Sequence, residues 1–184
     1  MLLKIGRRPD HGFDEPLGLL GDCHRRIEHF LAVLISISNR FGSDTLDVKS
    51  REQFETALQY FSTAAPRHTA DEEESLFPRL AAAFDANLQK TLEIVRRLER
   101  DHADATELHA VVDRLGRQWL EAGALSAGDA LSLREAVEQL DSLYKAHIAI
   151  EDQYLFPAAA DILSGDDLRD IGQEMARRRS VPGR

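Results

Sequence analysis

Apolar side chains recur along this chain at steps of three and four, the period of an α-helix, and no stretch alternates as a strand does. Leu20, His24, Ile27, Leu31 and Leu34 line one face of a first helix, expected from about Pro16 to Arg40, with proline suited to its first turn. Phe54, Leu58, Phe61, Ala65, His68 and Glu72 form a second stripe. Pro66 lies inside it and removes one amide donor, which predicts a kink or break near Ala64 and Ala65. A third helix, from about Leu88 to Leu120, brings Leu88, Leu92, Val95, His102 and His109 close to one face. A fourth, from about Asp129 to Asp161, carries Leu133, Val137, Leu140, Tyr144, His147, Glu151 and Tyr154. A short fifth helix, from Leu168 to about Arg177, should follow Gly165 or Asp166 and cap the bundle. The expected fold class is all-α, with residues 1–13 as an N-terminal arm, 14–162 as the helical bundle and 163–184 as a short helix and tail.

The chain also repeats itself. From His68 to Pro78 it reads His-x-x-x-Glu-x-x-x-Leu-Phe-Pro, and the same pattern returns from His147 to Pro157. His24 precedes His68 by 44 residues, and His102 precedes His147 by 45. Each half is therefore one helix with a lone histidine followed by one helix with a His-x-x-x-Glu pair.

Residues four apart on a helix lie one turn along on nearly the same face, so His68 with Glu72, and His147 with Glu151, can each reach one point beside their helix. A single such pair on a surface helix means little, because charged neighbours at this spacing are usually just solvated. These pairs sit instead on stripes of Leu, Phe, Val and Ala, where a buried carboxylate needs a compensating partner. One histidine on an apolar face is more often a hydrogen-bonded core residue than a ligand, but six residues repeated in spacing and phase reverse that balance. His24, His68, Glu72, His102, His147 and Glu151 are thus the candidate metal ligands: enough for two ions if the carboxylates bridge and each ion takes two imidazoles. Imidazole mixed with carboxylate suits iron, with manganese or zinc as possibilities, and not calcium or magnesium.

Other polar residues carry weaker expectations. His29 is five residues past His24 and should face away from the site, at the surface or between helices. His109 shares the face of His102 two turns on, where it either packs or hydrogen-bonds near the site. Glu73, Glu74, Asp152, Asp71 and Asp101 flank ligand candidates and are expected in solvent or supporting the ligands from outside. Tyr144 and Tyr154 lie on the site-facing stripe, in position to close the pocket. Cys23 points about 100° from His24 and reads as a small buried residue rather than a thiolate ligand, and His11 has no identifiable partner.

Composition narrows the field. Apolar residues make up 43% and charged residues 30%, which fits one globular domain, and apolar runs such as Leu31 to Ile35 are too short to span a membrane. The net charge of −9 opposes nucleic-acid binding. The basic cluster of Arg177, Arg178, Arg179 and Arg184 is expected to be a frayed, solvated tail. Met1 to Asp10 has no signal-peptide pattern and Cys23 is the only cysteine, so a reducing cytoplasm is the expected setting.

The chain resembles the hemerythrin-like, or HHE cation-binding, family. The resemblance rests on Cys23-His24-Arg25-Arg26-Ile27, on Ala64-Ala65-Pro66-Arg67-His68 leading to Asp71-Glu72-Glu73 and Leu76-Phe77-Pro78, and on Asp101-His102 with His147-Ile148-Ala149-Ile150-Glu151 and Leu155-Phe156-Pro157. It spans roughly residues 14–162 and implies an up-down-up-down four-helix bundle holding an oxo- or hydroxo-bridged di-iron centre with two bridging carboxylates. Oxygen-carrying members have two histidines four apart on the third helix. Thr106 stands four past His102 here, so the likeness is closer to relatives that sense iron or repair iron–sulfur clusters. The function expected is non-haem di-iron binding with O2, NO or peroxide as the small-molecule partner, or the sensing or handling of iron, with iron lost as pH falls below about 6 because ligand histidines must be neutral. The alternatives are a di-iron enzyme acting on peroxide or NO or in cluster repair, and a metal-free helical module that recognises a partner protein.

Overall fold

The structure, a computed structural model, describes residues 10–83 and 88–180, the side chains of 88–92 and 180 excepted. Residues 1–9 of the expected arm, the side chains of Leu88 and Leu92, and Arg184 lie outside the described residues. Those described are all-helical, with no strand. Helix α1 runs Pro16–Phe41, with Pro16 in its first turn and Gly42, at φ 57°, closing it. A second rod is built from α2 (Val48–Thr63), α3 (Ala65–Asp71), a wider π-helical turn (Glu72–Leu76) and α4 (Phe77–Ala82). The break between α2 and α3 falls at Ala64, where Pro66 predicted it. Helix α5 spans Leu88–Ala122. The fourth rod repeats the plan of the second, with α6 (Ala127–Ile150), a π-helical turn (Glu151–Leu155) and α7 (Phe156–Ile162). Helix α8, Gly165–Ser180, is longer than the fifth helix expected.

Local chemistry sets these ends. Asp47 accepts from Ser50 N (2.7 Å) to cap α2, and Ser126 Oγ accepts from Asp129 N (3.1 Å) to cap α6. Ser164 and Asp167 cap α8 reciprocally, each accepting the other's amide at 3.1 and 3.0 Å. Both π-helical turns end just before a proline, Pro78 or Pro157. Proline offers no amide to the carbonyl four residues back and its ring crowds that carbonyl, so the turn ahead of it widens.

Helix α1 packs on α2 and α6, and α5 packs on the same two, while α8 lies against α1, α3 and the first π-helical turn. The core divides in two. One apolar cluster contains Ile27, Leu31, Leu34, Phe54, Leu58, Leu115, Trp119, Val137 and Leu140. The other contains Leu19, Leu20, Leu76, Phe77, Leu98, Leu155, Phe156, Ile171 and Met175. Along α1, His24 falls between Leu20 of the second cluster and Ile27 of the first, and along α5 His102 falls between Leu98 and Ala105. A buried polar layer therefore separates two apolar ones.

The arginine cluster departs from expectation. Arg177 is exposed, but Arg178 and Arg179 are in α8 and reach back to Asp71, so they form a tertiary contact rather than a solvated tail. A fully buried carboxylate selects these positive partners, a constraint the local composition of the tail does not reveal.

Candidate metal centre

All six candidate ligands meet in the polar layer, and each is at most 6% exposed. His24 Nε2 lies 3.8 Å from Glu72 Oε1 and 3.1 Å from Glu151 Oε2. His68 Nε2 lies 3.2 Å from Glu72 Oε1, and His102 Nε2 3.3 Å from Glu72 Oε2. His147 Nε2 lies 3.1 Å from Glu151 Oε2. The donors form two quartets, His24 with His68 and His102 with His147, each completed by the shared Glu72 and Glu151, with the donor atoms of a quartet within 4.8 Å of one another.

Close approach here is not hydrogen bonding. His24 Nε2, His147 Nε2 and all four carboxylate oxygens of Glu72 and Glu151 are buried with no hydrogen-bond partner among the described residues. Buried polar atoms are almost always paired, and six orphans converging on one layer is the pattern of atoms arranged around cations. The residues present therefore fit a pair of metal ions, with nitrogen and oxygen donors suited to iron, manganese or zinc.

The internal repeat explains what holds the imidazoles in place, because each half supports the lone histidine of the other. His24 Nδ1 bonds Asp152 Oδ1 at 2.8 Å, and His102 Nδ1 bonds Glu73 Oε1 at 2.8 Å. In both cases the acceptor directly follows the carboxylate candidate of the opposite half, and it leaves Nε2 for the site. Phe156 stacks on His24 (5.3 Å between centroids) and Phe77 on His102 (6.2 Å), which gives the Leu-Phe-Pro motif a role. His147 Nδ1 lies 3.5 Å from Asp101 Oδ2, but neither it nor His68 Nδ1 has a hydrogen-bond partner among the described residues.

These surroundings set the protonation of the metal-free layer. For His24, burial works against the charged ring, but Asp152, Glu151 and Glu72 outweigh it and raise the pKa well above the ordinary value. For His102, burial is likewise overcome, by Glu72 and Glu73, which raise it to about 9. His68 has no such flanking acceptor, and burial lowers it to about 4. Glu72 is held well below the usual carboxylate range: burial opposes its charge, but the imidazoles of His68, His102 and His24 favour it. The charged ring is thus favoured at His24 and His102, and a metal ion would compete with protons for those nitrogens.

Residues beyond the six match their expected roles only in part. Tyr144 is buried, its hydroxyl 3.0 Å from His109 Nε2 and its ring 6.2 Å from that of His147. Tyr154 does not close the pocket, because the widened turn rotates it off the site face and leaves it 62% exposed. Cys23 is buried, as expected, with Arg26 Nη2 3.5 Å from its sulfur, and burial raises its pKa. His29 is exposed. His11, given no partner from the sequence, bonds Asp22 through both its amide (2.8 Å) and Nδ1 (3.2 Å).

An all-helical protein with a buried layer of four imidazoles and two shared carboxylates belongs to the class of helical proteins that can hold metal ions between their helices. Comparison with known proteins makes this specific: the chain belongs to the hemerythrin HHE cation binding domain family, which it matches over residues 15–159. It is also 30% identical over 175 residues to an uncharacterized protein of Haemophilus influenzae, an alignment covering 92% of each chain. Among the described residues no helix is long and apolar enough to cross a membrane.

Proposed function

We propose that this protein is a non-haem di-iron protein built on an up-down-up-down four-helix bundle, with residues 14–162 as the bundle. In this reading His24 and His68 hold one ion, His102 and His147 the other, and Glu72 and Glu151 are shared between them. The observation that carries it is the pair of interlocked quartets, whose inward oxygens and nitrogens are buried without hydrogen-bond partners. Bound iron would supply one-electron redox chemistry toward O2, NO or peroxide, or would itself be the quantity sensed. The chain's own part is to fix the ligand rings through Asp152 and Glu73, and to exclude water with the apolar layers on either side.

Elemental analysis and an ultraviolet–visible spectrum of aerobically purified protein test the reading. About two iron ions per chain with near-ultraviolet charge-transfer absorption is the expected result. Protein that purifies without metal, and whose melting temperature is unchanged by added ferrous iron, would refute it and favour a metal-free interaction module. Stoichiometric zinc or manganese would keep the site and refute the choice of iron.

A further inference from the structure

Of the chain's three tyrosines, Tyr144 is the one whose ring meets a ligand candidate: it is buried and stands edge-on to His147, with centroids 6.2 Å apart. Its hydroxyl has one hydrogen-bond partner among the described residues, His109 Nε2 at 3.0 Å, and His109 lies outside the six ligand candidates. A phenol O–H is a stronger acid than a neutral imidazole N–H, so Tyr144 donates and the imidazole hydrogen sits on Nδ1. His109 is held between the Tyr144 ring, at 5.8 Å, and the Phe61 ring, at 4.6 Å. The pair is therefore fixed in place.

A buried phenol needs an acceptor, and any oxygen serves for packing. Tyr60 shows that case, its hydroxyl donating to the carbonyl of Cys23 at 3.5 Å. A carbonyl can hold a hydrogen bond but is too weak a base to take the proton, whereas an imidazole can take it. Burial lowers the His109 pKa to about 4, so at neutral pH its Nε2 is an unprotonated base within reach of the phenol proton.

That difference matters once an electron leaves. Oxidising a buried phenol by one electron would leave a cation in surroundings that penalise an isolated charge. If the proton crosses to His109 Nε2 at the same time, Tyr144 stays neutral and the positive charge moves to the imidazole. His109 lines a cleft between α2 and α5 together with Ser62, Thr106 and Asp113, whose oxygens can accept hydrogen bonds on the side away from Tyr144.

We propose that Tyr144 is a redox-active residue that supplies one electron to the metal layer, with His109 as the base that takes its proton. The assignment rests on the di-iron reading above, the oxidant being the iron centre after it has met peroxide. In the step the Tyr144 O–H bond breaks: the electron reduces the oxidised centre by one equivalent, the proton bonds to His109 Nε2, and a neutral phenoxyl radical and an imidazolium remain. Tyr144 also lines a groove between α1 and α6 with the exposed Glu28, Ser36 and Lys145. A one-electron reductant in that groove would return the electron, and His109 the proton.

The test mixes iron-loaded protein of measured iron content with hydrogen peroxide, freeze-quenches it over a time series and reads electron paramagnetic resonance. A phenoxyl signal is expected from the wild type and from Tyr60→Phe/Tyr154→Phe, in which Tyr144 is the one tyrosine left, and not from Tyr144→Phe. In heavy water the signal should couple to a deuteron on the hydrogen-bond partner. His109→Phe, which keeps a ring against Phe61, should lose that coupling and form the radical about 100-fold more slowly. Absence of the signal from iron-loaded Tyr60→Phe/Tyr154→Phe, an undiminished signal in Tyr144→Phe, or wild-type rates in His109→Phe would overturn the proposal and leave the di-iron reading standing. Protein that takes up no iron would overturn that reading and, with it, the role given to Tyr144.

Discussion

Arg178 and Arg179 reach from α8 to Asp71, the residue before Glu72, and this contact supports a graded prediction. Arg178 Nη1 lies 3.0 Å and Arg179 Nη2 2.6 Å from the Asp71 carboxylate, and Arg178 also donates to Ser75 Oγ at 2.8 Å and pairs with Glu74 at 3.1 Å. Stripping a buried ion pair of its partners from one side costs about 3–5 kcal/mol. The Asp71 side chain is 0% exposed, against 19% and 25% for the two arginines, so a stranded carboxylate is the worse case. Replacing both arginines by alanine should therefore fall in that full range. Asp71→Ala strands two guanidiniums that still touch water, one of them keeping Glu74, and should cost less. Either single arginine variant leaves Asp71 one partner and should cost about 1.5–3 kcal/mol, the scale of a lost charged hydrogen bond.

For a chain of this size each kcal/mol moves the melting midpoint by about 2–4 °C, so the double variant should melt about 6–20 °C below the wild type. Thermal unfolding of metal-free protein followed by circular dichroism gives the ordering, and iron analysis of the reloaded protein shows whether Glu72 is still presented. The double variant should cost more than either single, since each single retains the other arginine. A double variant no less stable than either single, or less harmful than Asp71→Ala, would refute this account of α8.

The orienting acids can be tested separately: Glu73→Ala and Asp152→Ala should each lower iron affinity about 10–100-fold, the first for the His102 and His147 ion and the second for the His24 and His68 ion, and loss of both ions together in either variant would contradict that division. His102, raised to about 9 from 6.5, gives the metal-free protein stability that is full below pH 6.5 and is lost as pH rises through about 9, so its melting temperature should fall across that window and a rise there would count against the assignment. Proton competition with iron accordingly sets in well above the pH of about 6 that an ordinary histidine implies. His109 is lowered to about 4 by burial, so the unfolded chain binds the proton first and stability drops as pH falls from 6.5 to 4. His109→Phe should flatten part of that acid slope in a pH series of melts, whatever its offset from losing the Tyr144 contact.

The six candidate ligands were legible because a spacing of four on a helix is a statement about direction, and the doubled pattern from His68 and His147 repeats it in phase. What the sequence hid is what acts across the chain. Asp152 serves His24 and Phe77 serves His102, and no local period links residues so far apart. Pro78 and Pro157 were readable warnings that the helices change pitch, and reading them would have turned Tyr154 off the site face. Arg178 and Arg179 were misjudged as a solvated tail because their partner, Asp71, becomes buried only when α8 folds back over the first π-helical turn.

That fold-back makes the two halves unequal outside the ligand layer. Asp71 and Ser75 in the first half correspond to Ile150 and Tyr154 in the second. The first pair binds Arg178, and Arg179 also holds Asp71, whereas Ile150 has no charge to offer and Tyr154 faces solvent. The inequality reaches the carboxylates themselves. Glu72 turns Oε1 toward His24 and His68 and Oε2 toward His102, one oxygen for each quartet. Glu151 approaches His24 and His147, one imidazole from each quartet, with the single oxygen Oε2. The two arginines hold Asp71, the residue before Glu72, and so anchor the stretch of backbone that presents Glu72, whereas Ile150, before Glu151, offers no charge for such an anchor. The sequence repeat presents Glu72 and Glu151 as twins, but the fold surrounds them differently: only Glu72 follows a carboxylate tied to α8 by two arginines.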